Sequence, residues 1–117
     1  IDLRDMVEEP FVLMDTPPGR EYFLGLFKDA GLNPNIVFRS PSFEVVRGLV
    51  GRGVGYSILI TRPRSNWTYD GWPLECRPLK SPTRRSFVGI VRTQSSHVSR
   101  LHQRFDDLCR EMFAHGE

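Results

Sequence analysis

Between Pro10 and Ile60 the chain alternates short apolar runs with helix-patterned segments, and only a few residues separate one from the next. "PFVLMD", residues 10–15, is apolar without alternation and follows a proline, which reads as a buried strand. "TPPGREYFLGLFKDAG" then reads as a helix, with Thr16 as cap and Pro17 or Pro18 in the first turn. Phe23, Leu26, Phe27 and Ala30 recur at i, i+3, i+4 and i+7, one helical face, and Gly31 supplies a left-handed stop. After a turn at 33–35, the β-branched run 36–40 reads as a second strand. Ser40 caps a second helix with Pro41 at its first position. Phe43, Val46 and Val50 form its stripe, widened by Val45 and Leu49, and it ends near Arg52. "VGYSILI", 54–60, is a third strand. Strand–helix–strand–helix–strand with short connections implies an α/β fold, a mostly parallel sheet flanked by helices with right-handed crossovers.

The flanks are less regular. Residues 1–8 suggest one short helical turn. "TRPRSNWTYDGWP", 61–73, reads as a loop with a short turn, 74–80 as a strand, and 86–92 as another beyond the break at Ser81-Pro82-Thr83. Residues 95–113 read as a helix capped by Ser95 or Ser96, with Val98, Leu101, Phe105, Leu108 and Met112 spaced 3, 4, 3, 4. Trp67, Tyr69 and Trp72 could line a pocket lid or cover a sheet edge.

Composition narrows the class of function. With 117 residues the chain is one domain at most, or part of a larger one, and its opening on Ile1 rather than Met suggests a fragment or trimmed chain. The net charge of +2 and scattered arginines give no nucleic-acid stripe, and the clusters Arg62–Arg64 and Arg84–Arg85 read as solvated surface. Cys76 and Cys109 lie too far apart for a metal-spaced pair and do not make a disulfide framework, so a reduced, cytoplasmic setting is expected. No apolar run approaches the ~20 residues of a membrane span and no signal peptide opens the chain, so Asn66-Trp67-Thr68 reads as a chance glycosylation match.

The run "RGLVGRGVGYS", 47–57, resembles a phosphate loop at first sight. Its order is helix, glycines, strand, whereas a dinucleotide fingerprint needs strand, glycines, helix, and no Lys-Ser/Thr follows. Gly53 fits a helix stop, Gly51 close packing in the last turn, and Gly55 a strand position approached by another backbone or a ligand.

A ligand is expected at the two strand-to-helix junctions, Asp15–Arg20 and Arg39–Ser42, because both lie at carboxyl ends of parallel strands. Helix N-termini with Thr16, Ser40 and Ser42 hydroxyls and the Arg20 and Arg39 charges suit a small carboxylate or another anion. The same hydroxyls could serve only as caps. Catalytic signals are weak. His97, His102 and His115 fall on or near the last helix and read as solvated, with His97 and His102 five apart rather than four; Ser57 lacks an elbow motif, and Glu8-Glu9 and Asp106-Asp107 are adjacent pairs that point in different directions. Cys109 reads as a packing residue, and neither metal nor cofactor is expected.

The stretch "EPFVLMD", then "GLNPNIVFRSPSFEVVRGLVGRGVGYSILI", resembles the effector-binding domain of LysR-type transcriptional regulators. It is similar to that family's run of Gly-x-x-Pro, strand, Ser-x-Ser, helix with Leu-Val, and Gly-x-Gly before an apolar strand. The resemblance implies one lobe of a type 2 periplasmic-binding-protein-like fold. On that reading 8–80 is the second subdomain, 84–117 supplies the closing strand and helix of the first, and the winged helix-turn-helix is absent. It implies a non-enzyme that binds a small-molecule effector, a carboxylate or similar anion, in an interdomain cleft. Arg39, Ser40, Pro41 and Ser42 and Gly55, Tyr56 and Ser57 would border the cleft, with Thr16 and Arg20 less consistently. It also implies homodimers through helix 20–30 and strand 35–40, and DNA contact only through the missing domain. The alternative is a piece of a solute-binding protein of similar architecture, distinguished by a signal peptide upstream. A small enzyme using Ser57 or Cys109 is the third reading, and it requires a base beside either group.

Overall fold

A computed structural model of the chain describes residues 1–80, 89–94 and 97–114. It divides into two units, Ile1–Thr83 and Arg84–Glu117. In the first, the order is β1 (Pro10–Met14), α1 (Gly19–Asp29), β2 (Asn35–Ser40) and α2 (Phe43–Gly51). The second holds α3 (Arg100–Phe113).

β1 is the axis of the first unit. Phe11, Val12 and Leu13 are fully buried, as expected of a parallel strand covered on both faces. On one edge β1 pairs in parallel with β2, with an irregularity that sets Phe11 opposite Ile36 and Val12 opposite Phe38. Val37 is therefore the extra residue of a bulge, and Val37 and Phe38 remain 47% and 46% exposed on the outer strand. On the other edge, Tyr56 bridges to Phe11 in parallel, its N–H donating to the Pro10 carbonyl at 2.9 Å while its carbonyl accepts from Val12 N–H at 2.8 Å. Phe23, Leu26 and Phe27 of α1 pack onto Leu3, Phe11 and Leu13, with the Phe11 and Phe27 rings 5.2 Å apart. Leu3 comes from a single 3-10 turn, Leu3–Met6, capped by Asp2.

Several expectations need correction. The run 54–60 is not a strand: its pairing is confined to the Pro10–Val12 half of β1, so it fastens at one point rather than along its length. Residues 74–80 form no ladder among the described residues either. They are held at their ends, Leu74 N–H donating to Asn66 O at 2.7 Å and Lys80 N–H to Ile1 O at 2.9 Å. Of the strand expected at 86–92, residues 86–88 lie outside the described residues and 89–92 join no ladder among those described. Thr16 does not cap α1 with its side chain; its carbonyl accepts from Arg20 N–H at 3.0 Å, and Pro18 occupies the cap position. Ser42 rather than Ser40 caps α2, because Pro41 keeps Ser40 extended and delays the helix by two residues. Val45 points outward, and Arg47 is buried with Val46 and Gly48. Residues 61–73 close into a hairpin-like loop, with Trp67 bridged to Pro73 and Gly71 at φ +87.

Among its described residues the second unit has one helix, shorter than expected and capped by Ser99; Ser95 and Ser96 lie outside the described residues. Its stripe of Leu101, Phe105, Leu108 and Met112 is exposed, while Asp106 is buried in an ion pair with Arg92.

The glycine expectations hold, Gly31 stopping α1 at φ +71 and Gly51 packing closely against Trp72. Gly53, at φ +78, stops α2 in the left-handed conformation. At Gly55 the close approach is a backbone: a Cβ there would stand 2.1 Å from the Pro10 carbonyl oxygen. Gly55→Ala should therefore lower stability by roughly 3 kcal/mol, the upper range for forced overpacking. Phe27→Ala should cost about 4 kcal/mol through cavity formation. Urea unfolding of both variants beside a surface control, Glu21→Ala, checks these values.

Candidate functional site

The two junctions lie side by side at the carboxyl end of the parallel pair. Met14 stands opposite Ser40, and one residue on, Asp15 N–H donates to the Ser40 carbonyl at 2.8 Å. This main-chain link joins Asp15–Arg20 to Arg39–Ser42. Ser40 is buried and its Oγ accepts from Ser42 N–H at 3.1 Å. Ser42 Oγ in turn accepts from Val45 N–H at 3.4 Å, the α2 cap. Each hydroxyl oxygen is thus used as an acceptor, which leaves its proton available as a donor. The earliest amides of α2 have no intrahelical acceptor, and the helix dipole adds partial positive charge there. Arg20 is engaged by the Asp15 carboxylate, which largely cancels its charge. Arg39 is exposed and makes no ion pair among the described residues. The end of the sheet thus offers donors and one uncompensated cation, a setting suited to an anion.

Gly55, Tyr56 and Ser57 are not part of this group. They sit beside Pro10 and Phe11, at the amino end of β1, four residues from the junctions along the strand. Tyr56 stacks at 5.1 Å from Phe11 and belongs to the core. Its hydroxyl and that of Ser57 have no hydrogen-bond partner among the described residues. Burial, and secondarily the Glu9 carboxylate, pushes the Tyr56 pKa up to about 12.

A second polar network was not legible in the sequence. Arg47, 7% exposed, pairs through Nη1 with the Glu44 carboxylate. Its Nη2 donates to the carbonyls of Ser65 at 3.1 Å and Trp67 at 2.8 Å. Glu44 Oε2 accepts from Tyr69 N–H at 3.1 Å. Thr68 Oγ1 donates to Asp70 at 2.7 Å and accepts from Trp72 N–H at 2.8 Å, and Arg52 pairs with Asp70. The Thr68 hydrogen bond, aided by Asp70's own backbone amide and the Arg52 guanidinium, holds the Asp70 carboxyl below its ordinary value. Gly51 completes the joint: a Cβ there would stand 2.8 Å from Trp72 Cβ. The aromatic loop is thus fastened to α2, and Tyr69 is 96% exposed. The i,i+3 spacing of Glu44 and Arg47 hints at the ion pair, but the carbonyl acceptors some twenty residues away have no sequence signature.

No three His, Cys, Asp or Glu side chains cluster as metal ligands among the described residues. Both cysteines are free, Cys76 exposed and Cys109 half-buried. The described residues contain no helix long and apolar enough to cross a membrane.

The model of the LysR substrate binding domain matches residues 1–114. The chain belongs to the LysR substrate-binding domain family. Solved LysR structures agree in fold as well as sequence. HinK, a LysR family transcriptional regulator from Pseudomonas aeruginosa, is 43% identical with a TM-score of 0.90, over 96% of this chain and 39% of that one. The PA01 protein of the same species, assigned to the LysR family, is 41% identical with a TM-score of 0.85, over 97% and 40%. The C-terminal domain of a regulator assigned to the family in Rhodococcus sp. RHA1 is 32% identical with a TM-score of 0.79, over 92% and 53%. The chain therefore spans about two fifths of the first two structures and half of the third. A search of the curated proteins returns no match. The LysR domain has the periplasmic-binding-protein-like fold, and its solved relatives are transcriptional regulators.

The Tyr56 shift gives this LysR domain a pH signature. Because the folded value lies above the ordinary 10.0, Tyr56 contributes stability that is fully present below pH 10 and is lost as pH rises from there to about 12. Urea midpoints for native and Tyr56→Phe protein should fall in parallel up to pH 10, with the native midpoint falling more steeply above it.

Proposed function

We propose that this LysR domain is the effector-sensing portion of a DNA-binding transcriptional regulator, and that it binds a small anion, a carboxylate or a group of similar charge. The observation that carries this reading is the Asp15–Ser40 main-chain link, which brings two strand-to-helix junctions to one end of the sheet. The ligand engages Thr16, Ser40, Pro41 and Ser42 and the Arg39 guanidinium, with Arg20 contributing as far as Asp15 releases it. Gly55, Tyr56 and Ser57 act indirectly, by anchoring β1. On this reading residues 8–80 form the second of two subdomains, 84–117 contribute to the first, and the effector biases their relative pose. An effector moves such an equilibrium only by its difference in affinity for the two poses. The setting is cytoplasmic, where the DNA that such a regulator controls is found.

The signal passes through a homodimer built on α1 and β2. An outer strand carrying half-exposed Val37 and Phe38 supports this, since such an edge pairs readily. A shallow hollow of about 470 Å³ lined by Leu24, Lys28, Gly31, Leu32, Asn33 and Pro34 continues the same surface. It lies at the amino end of β2, away from the anion-binding end.

Arg39→Ala and Ser42→Ala should each weaken the effector response in the intact regulator, Arg39→Ala about ten-fold through lost charge. Ser42→Ala should also cost ~1 kcal/mol of stability through the lost cap. Ligand titrations of a carboxylate panel, read by thermal shift, measure both; unchanged titration curves for the two variants would overturn the placement. Phe38→Glu should convert dimer to monomer in sedimentation velocity.

A further inference from the structure

Glu44 stands two residues beyond the α2 cap, in the first turn, where a carboxylate is itself attracted to the helix N-terminus. Both of its oxygens are committed elsewhere. One accepts from Arg47 Nη1, a turn further along the helix, and the other from the Tyr69 amide at 3.1 Å. Arg47 is held for this purpose. Its guanidinium is buried, stands 5.7 Å from the Phe43 ring centroid, and is fixed by the Ser65 and Trp67 carbonyls. A guanidinium tied at three points is a poor direct ligand for an effector, yet it governs the one acidic side chain in the first turn of α2.

We propose that Arg47 is a positioning residue that sets the anion selectivity of the site, by holding and neutralising the Glu44 carboxylate so that it neither occupies the α2 N-terminus nor repels an incoming anion. This rests on the functional reading above. Without Arg47, Glu44 keeps only the Tyr69 amide and carries an uncompensated charge within one helical turn of the ligand, with one oxygen released to compete for the first-turn amides. The consequence is a built-in competitor for any external anion.

The test uses the intact regulator with sodium acetate as probe, at constant ionic strength, read by amide chemical shifts of Ser42 and Phe43. Arg47→Gln should weaken acetate binding roughly ten-fold, the size of one uncompensated charge at this range. Glu44→Gln in the Arg47→Gln background should restore it to within about two-fold of native. Arg47→Lys, which retains the charge but not the fork to the two carbonyls, should bind nearly as the native protein does. The rescue separates the proposal from a purely structural role, because the Ser65 and Trp67 contacts are missing from the single and double variants alike. Native protein that responds to acetate, with a double variant as weak as Arg47→Gln, overturns the role of Arg47 and leaves the site standing. Native protein whose Ser42 and Phe43 amides do not respond overturns the site and this role together.

Discussion

The arrangement of the first unit depends on how closely β1 is approached from both edges. Phe11, Val12 and Leu13 are fully buried, so every main-chain group they carry must find a partner within the protein. β2 supplies partners along one edge. On the other, Tyr56 contributes a reciprocal pair of hydrogen bonds, and it can do so only because Gly55 has no side chain to strike the Pro10 carbonyl. The glycine run that resembles a phosphate loop is thus a packing device. Gly53 turns the chain out of α2, Gly51 admits Trp72 and Thr68, and Gly55 admits β1.

What was legible in the sequence was what repeats along a helix or runs apolar through a core. The α1 stripe of Phe23, Leu26 and Phe27 packs as its spacing predicts, and β1 reads directly from its unbroken apolar run. Cap positions were less legible, because a hydroxyl before a proline satisfies the same pattern as the true cap. Ser40 and Ser42 both fit, and the restriction that Pro41 places on Ser40 decides between them. The extended runs 54–60 and 74–80 have strand composition, yet a strand exists only where a neighbour pairs along it, and that information is not local. Arg47 was invisible for the same reason. Its carbonyl partners lie 18 and 20 residues away on an irregular loop, where no periodicity marks them.

The site was legible in part. The junctions at Asp15 and Ser40 come together because parallel strands deliver successive helix starts to the same end of a sheet, a consequence of topology that the strand–helix order already contains. Gly55, Tyr56 and Ser57 carry the same kinds of group, but they belong to the start of an extended run, and starts and ends of parallel segments lie on opposite sides of the molecule. Their sequence neighbourhood resembles a ligand-contacting segment, while their register with Pro10 and Phe11 makes them supports.

The charge pattern around the junctions follows from pairing rather than from composition. Asp15 cancels Arg20 and Glu44 cancels Arg47, which leaves Arg39 as the uncompensated cation among the described groups there. The remaining attraction comes from hydroxyl protons and helix-end amides, which are directional dipoles rather than charges. On the proposed reading, a site of this kind favours a ligand of low negative charge whose oxygens meet those donors in the right geometry. It discriminates by shape and hydrogen bonding more than by total charge, since a second negative charge would find no second free cation to meet it. The two acidic residues, which look unfavourable beside an anion, are on this view what narrows the choice. Each removes one arginine from the pool that could bind indiscriminately, and Glu44 does so only while Arg47 keeps it in place.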